Sequence, residues 1–226
     1  MLQNNEIITI VLNVYYNLIN YIDIYIKIYK IYNIDSQKND RSYMRVISGK
    51  ARGTKLNTIE SNSTRPTLDR VKESLFNILQ NNIEGNIILD LFAGSGAIAI
   101  EFLSRGAKFA YICDKSYEAC KIIKQNLEKT KLIDNSIILN KDYKKCLYEL
   151  KNINEKIDIV FLDPPYEANL AVDAIKIIKE LNILKEQGSI IIETDQVQRE
   201  LENLKELDIE VKDCRKYGRV SLIFLN

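Results

Sequence analysis

The segment Ile87-Ile88-Leu89-Asp90-Leu91-Phe92-Ala93-Gly94-Ser95-Gly96-Ala97-Ile98-Ala99 constrains this chain more than any other. A short apolar run reads as a buried strand. Two glycines one residue apart then read as a tight turn, and small apolar residues open a helix. The same alternation recurs from Gly85 onward. Strands are predicted at 86–91, 109–113, 136–140, 157–162 and 189–193, with helices at 97–105, 116–129, 142–152 and 170–182. Strand–helix alternation of this kind builds a parallel, doubly wound α/β sheet. After a helix at 198–206, strands at 209–214 and 219–225 are separated by a hairpin-length loop, so the last strand is expected to run antiparallel. Seven strands result.

Upstream of Gly85 the chain changes character twice. Residues 1–43 hold seven of the 13 tyrosines and no Gly, Pro or Ala. Asn13, Asn17, Asn20, Asp23, Lys27 and Lys30 break the apolar run, so no uninterrupted membrane-spanning stretch forms, and a signal peptide's basic start and cleavage site are missing. Ile22, Ile24, Ile26 and Ile28 alternate like a strand without an obvious partner. Ile, Asn, Tyr and Lys are also what AT-rich DNA encodes by chance, and we expect Met44 to be the true start. Peptides from residues 2–43 in the native protein would refute that. Residues 44–84 are predicted to form a small hairpin, 44–48 with 54–58, then a helix capped by Thr67 with a stripe of Val71, Leu75, Ile78 and Leu79. Residues 85–226 form the main domain.

Net charge is only +1, but its distribution is uneven. Between Met44 and Lys72 seven basic residues (Arg45, Lys50, Arg52, Lys55, Arg65, Arg70, Lys72) face two acids. Such a local field suits a phosphate backbone, or is simply a solvated basic hairpin. The chain has no histidine, and its four cysteines (Cys113, Cys120, Cys146, Cys214) show no C-x-x-C spacing. That argues against a zinc site or another metal centre, and against histidine acid–base chemistry. The thiols read as small buried hydrophobes of a reducing cytoplasm.

The glycine turn could serve several ligands. Glycines let a backbone approach a ligand closely, and a helix start offers free N–H groups. Gly94-x-Gly96-x-x-Ala99 also satisfies a dinucleotide fingerprint. Asp90, four residues before the first glycine, shifts the balance: a buried carboxylate suits a cationic amino-acid ligand better than a pyrophosphate. Asp114, 24 residues after Asp90, can accept both hydroxyls of a ribose, or can cap the next helix. The deciding feature is Asp163-Pro164-Pro165-Tyr166 at the end of the fourth strand. Two prolines lock the backbone and remove two donors, leaving a rigid patch of acceptors. The Asp163 carboxylate and the Pro164 carbonyl can each accept one hydrogen of an amino group, and Tyr166 offers a ring on which a base can stack.

Asp90–Gly96 with Asp163–Tyr166 resembles the class I amino-methyltransferases of nucleic acids. Met44–Leu56 and Thr64–Asn77 narrow the resemblance to the RsmD-type 16S ribosomal RNA guanine-N2 methyltransferases, and it covers Met44 to the C-terminus. The resemblance implies a Rossmann-like fold and S-adenosylmethionine (SAM) as methyl donor, with S-adenosylhomocysteine (SAH) as product. It further implies transfer to the exocyclic N2 of guanine 966 in 16S RNA, on the free RNA, the 30S subunit or an assembly intermediate. Asp90, Gly94 and Gly96 would hold the methionyl part, Asp114 the ribose, and Asp142 with Tyr143 the adenine. Phe92, Ala93, Lys115 and Asp163 would also line the cofactor site. Asp142 reads equally as an ordinary helix cap.

An exocyclic amino lone pair is delocalised into its ring, so acceptors at Asp163 and Pro164 would act chiefly by orienting it towards the methyl group. The base must leave its stack to reach them, with Tyr166 as platform. Arg45, Lys50, Arg52, Arg65, Thr67 and Arg70 are the candidates for RNA contact. A DNA amino-methyltransferase is disfavoured by the lack of a spare domain for reading DNA. An NAD-dependent oxidoreductase is disfavoured by Asp163–Tyr166 and the missing histidine. A monomer is expected.

Overall fold

The computed structural model describes residues 44–58, 69–79, 82–165 and 169–226. Met44–Asn226 forms one compact unit. Its helices are α1 (Asp69–Leu79), α2 (Ala97–Ser104), α3 (Tyr117–Thr130), α4 (Tyr143–Asn152), α5 (Leu170–Leu181) and α6 (Val197–Glu206). Its strands are β1 (Ile87–Asp90), β2 (Phe109–Asp114), β3 (Ser136–Asn140), β4 (Ile157–Leu162), β5 (Leu184–Thr194), β6 (Val211–Tyr217) and β7 (Val220–Leu225). The sheet runs β3-β2-β1-β4-β5-β7-β6, parallel except at β7, which is antiparallel to both neighbours. The chain travels outward from β1 to β3 and then returns to β4, so the order reverses between β1 and β4.

Both faces of the sheet are covered, which is why its central strands read as unbroken apolar runs. Period-two alternation sends Ile88, Ile159, Phe161 and Ile191 into one packed layer, with α1, α2 and α3. It sends Leu89, Val160, Leu162, Ile190 and Ile192 into the other, with α4, α5 and α6. The expected fold class is what forms. Strand β5 is longer than predicted because a register irregularity lets Leu184 pair with Ile157 before Ser189 pairs with Ile159. The residues spanning it, Lys185, Glu186 and Gln187, are exposed and carry no apolar signal. Cys113, Cys120 and Cys146 are buried as expected, but Cys214 is exposed on edge strand β6.

The predicted hairpin at 44–58 forms as a short one, with Arg45 bridging Lys55 in antiparallel register. The Leu56 amide donates to the Met44 carbonyl at 2.8 Å, the Val46 amide to the Thr54 carbonyl at 3.0 Å, and the Gly53 amide to the Val46 carbonyl at 2.8 Å. Beyond these bonds, the Ile47 and Ser48 amides donate to the Glu101 carboxylate at 2.8 and 2.9 Å. Glu101 is fully buried in α2 and also pairs with Arg105 at 2.8 Å and with Lys72 at 3.6 Å. Ser104, one helical turn on, accepts from the Ala51 amide and donates to the Ser48 carbonyl. Gly49 is left-handed (φ 82°), and a Cβ there would sit 1.8 Å from the Ser104 carbonyl oxygen. Every residue of α2 is buried because it lies between the sheet and this segment, and its two polar side chains serve the segment's backbone. Thr67, the predicted cap of α1, lies outside the described residues. Among the described residues no helix is long and apolar enough to cross a membrane.

Candidate functional site

The carboxyl ends of β1 and β4 meet where the strand order reverses, the place where open α/β sheets bind ligands. Asp90 closes β1, opposite Phe161 of β4, and Asp163 follows β4. Asp90 is 1% exposed, and its Oδ2 accepts from the Ala99 amide at 3.2 Å. Burial pushes its carboxyl up to about 8; the Ala99 amide opposes this, and the charges of Asp163 and Asp114 add to it. Asp163 is part-exposed as a residue, yet burial of its carboxyl, with the Asp195 charge beside it, pushes it up to about 7. Pro164 is buried and Pro165 exposed, while Tyr166 lies outside the described residues.

Between these acids the glycine turn is held from several sides. Gly94 and Gly96 are both left-handed, at φ 55° and 75°. The Gly94 amide donates to Asp114 Oδ2 at 2.9 Å, and the Gly96 amide to the Ala93 carbonyl at 2.7 Å. The Ser95 carbonyl accepts from Asn126 Nδ2 at 2.9 Å. A Cβ on Gly96 would lie 3.2 Å from the Ile123 side chain, whereas one on Gly94 would meet nothing within 4 Å. The turn therefore presents an open flank beside Gly94 and a packed one beside Gly96.

Asp114 does not cap the following helix; Ser116 does, accepting from the Ala119 amide at 3.2 Å. Asp114 instead bridges the Gly94 and Ser116 amides, which leaves further acceptor capacity on its oxygens. Lys115 is exposed, and its carbonyl accepts from Asn140. Asp142 is the N-cap of α4, bonded to the Lys144 amide at 3.0 Å. Tyr143 is buried; its hydroxyl donates to Asp173 Oδ2 at 2.5 Å, and its ring lies 5.5 Å from that of Phe92. Phe92 and Ala93 are half-buried. Two carboxylate acceptors, an open glycine flank and an aromatic wall suit a ligand that carries an ammonium group, a diol and a flat base. SAM fits that donor set.

Of the candidate RNA contacts, Arg45, Lys50, Arg52 and Arg70 are exposed, while Arg65 and Thr67 lie outside the described residues. Lys72 leaves the basic surface altogether: it is 1% exposed and donates to the Arg45 carbonyl at 2.5 Å. The segment starts at the glycine turn, where Ser95 Oγ donates to Met44 Sδ at 3.6 Å. Two residues escaped the sequence reading. Asp195 follows β5 as Asp163 follows β4, an acid in the same strand-end pattern. Asn126 lies fully buried on a stripe with Ile123, Leu127 and Thr130, and a polar residue on an apolar stripe was the available signal.

The family described as conserved hypothetical protein 95 matches residues 44–226. The ribosomal RNA small subunit methyltransferase D of Haemophilus influenzae is 39% identical over 158 residues, 70% of this chain and 81% of that protein. Its namesake in Escherichia coli K12 is 34% identical over 152 residues, 67% of this chain and 75% of that protein. A candidate methyltransferase of Escherichia coli, yhhF, has a similar solved structure, with a TM-score of 0.66 at 26% identity. That match covers 81% of this chain and 97% of the other.

Proposed function

Because the chain belongs to the conserved hypothetical protein 95 family, that of the ribosomal RNA small subunit methyltransferase D proteins, and so is a SAM-dependent methyltransferase, we propose that it methylates the exocyclic N2 of a guanine in 16S ribosomal RNA, guanine 966 being the expected target. The observation that carries this is Asp163-Pro164-Pro165, which follows β4 beside the Asp90 end of β1 and within range of its charge. A strand end with a carboxylate, a carbonyl and two prolines that carry no amide donor is built to receive an amino group.

Asp90 and the Gly94–Gly96 turn hold the methionyl part of SAM in this reading, Asp114 the ribose, and Tyr143 with Phe92 the adenine side. Lys115 and Asp142 border the site. When bound, SAM supplies an electrophilic methyl group on its sulfonium. Asp163 and Pro164 accept the two hydrogens of the guanine N2 and orient its lone pair, and Asp163 takes one proton late in the reaction. Tyr166 provides the stacking face for the unstacked base. Arg45, Lys50, Arg52, Arg65 and Arg70 meet the RNA backbone, with Thr67 beside them. The substrate is the free 16S RNA, the 30S subunit or an assembly intermediate, and the enzyme acts as a monomer.

The test is methyl transfer from labelled SAM to 30S particles, free 16S RNA and DNA, followed by mapping of the modified base. Label at a guanine N2 in RNA is the expected result, with Asp163→Asn about 100-fold or more slower while still binding SAH. Label only in DNA, or an Asp163→Asn protein as active as wild type, would refute the reading.

A further inference from the structure

Helix α3 meets the glycine turn through one face, and the residues of that face do different work. Ile123 fills the space beside Gly96. Three residues on, Asn126 is fully buried, and its carboxamide makes three bonds that leave α3. Its Nδ2 donates to the Ser95 carbonyl at 2.9 Å and to the Asn57 carbonyl at 3.0 Å, while its Oδ1 accepts from the Asn57 amide at 2.7 Å. Both amide hydrogens and one oxygen lone pair are thereby used, and all three partners are backbone groups. One partner is the centre of the glycine turn. The other two belong to the segment that carries Arg45, Lys50 and Arg52.

We propose that Asn126 is a positioning residue for methyl transfer: it fixes the Ser95 carbonyl, and so the Gly94–Gly96 turn, and joins that turn to the basic segment 44–58. This rests on the cofactor role proposed above for the turn. A side chain of this kind makes cofactor and RNA surfaces interdependent, because loosening the Asn57 end frees the carboxamide that holds Ser95. Helix packing alone would not require it. Thr130, also buried on α3, bonds only to the Asn126 and Leu127 carbonyls of its own helix. Its loss should weaken the fold without touching the turn.

The experiment compares Asn126→Ala and Thr130→Val by calorimetric titration with SAH and by thermal unfolding. Both variants should melt below wild type. Only Asn126→Ala should weaken SAH binding, by about tenfold, since the Ser95 carbonyl loses its buried donor. SAH binding within twofold of wild type would overturn the inference, as would equal weakening by Thr130→Val. Should Asn126→Ala not fold, hydrogen exchange of the wild-type chain decides. SAH should then slow exchange of the Asn57 amide about tenfold together with that of the Gly94–Gly96 turn. Protection of the turn alone would overturn the coupling and leave the cofactor reading intact. Absence of SAH binding by the wild type would overturn both.

Discussion

Asp90→Asn should make the protein more stable and a poorer binder of its cofactor, with a pH dependence that identifies the cause. The carboxamide has the shape of the carboxyl and can still accept from the Ala99 amide, so packing is kept. What changes is the charge. In the unfolded chain the carboxyl titrates at its ordinary 3.8; in the fold burial holds it at about 8. Between those values the native state keeps a proton that the unfolded state has lost. Stability from this group is therefore complete below about pH 4, declines as the pH rises, and is gone above about pH 8. The gap corresponds to roughly 6 kcal/mol at about 1.4 kcal/mol per pH unit, of which about 2 kcal/mol should remain once the pocket relaxes and admits water. Urea unfolding at about pH 8.5 should show the variant more stable by about 2 kcal/mol, with the two proteins converging near pH 4. Calorimetric titration should show SAH binding weakened about 10- to 100-fold, as expected for losing a charge-assisted bond to an ammonium group. A variant no more stable than wild type at high pH would refute the account of Asp90 burial, and unchanged SAH affinity would refute its cofactor role.

At saturating SAM, the pH profile of kcat/KM for RNA should rise to a plateau above about 7, because only the ionised Asp163 accepts hydrogens with both oxygens; a profile falling through that range would contradict this. Glu101→Gln should cost about 3–5 kcal/mol in thermal unfolding, since it leaves the buried Lys72 ammonium without its carboxylate. A loss under about 1 kcal/mol would show that the ion pair does not hold the segment. Replacing Lys50 and Arg52 together by Ala should lower the slope of log affinity for RNA against log salt by about 1.5, with stability changed by less than about 0.5 kcal/mol. An unchanged slope would remove both from the RNA interface. Tyr143→Phe should lose about 1 kcal/mol of stability with its bond to Asp173, while SAH binding stays within about twofold because the ring against Phe92 remains.

Local pattern alone determined most of the scaffold. The bounds predicted for β3 and β4 coincide with those observed, and β1 differs by one residue at each end. Buried parallel strands are short apolar runs, and a left-handed turn needs the glycines at 94 and 96, so both are written in adjacent residues. The acids Asp90, Asp114 and Asp163 could be placed for the same reason, as each stands at or just beyond a strand end. Tertiary structure decided what distant residues do to one another. Lys72 reads as one more surface cation, and only the packing of α1 against α2 turns it inward to Glu101. The 44–58 segment reads as a hairpin and forms a short one, but the carboxylate that its Ile47 and Ser48 amides bind, 54 and 53 residues away, came only with the fold. Asp142 fits both a cap and a ligand contact by sequence; its bond to the Lys144 amide shows the capping geometry formed. Asn126 gains its meaning from Ser95 and Asn57, 31 and 69 residues away. Helical spacing says which face is buried, but a buried polar group's role is set by the partners that satisfy it, and those arrive only with the fold.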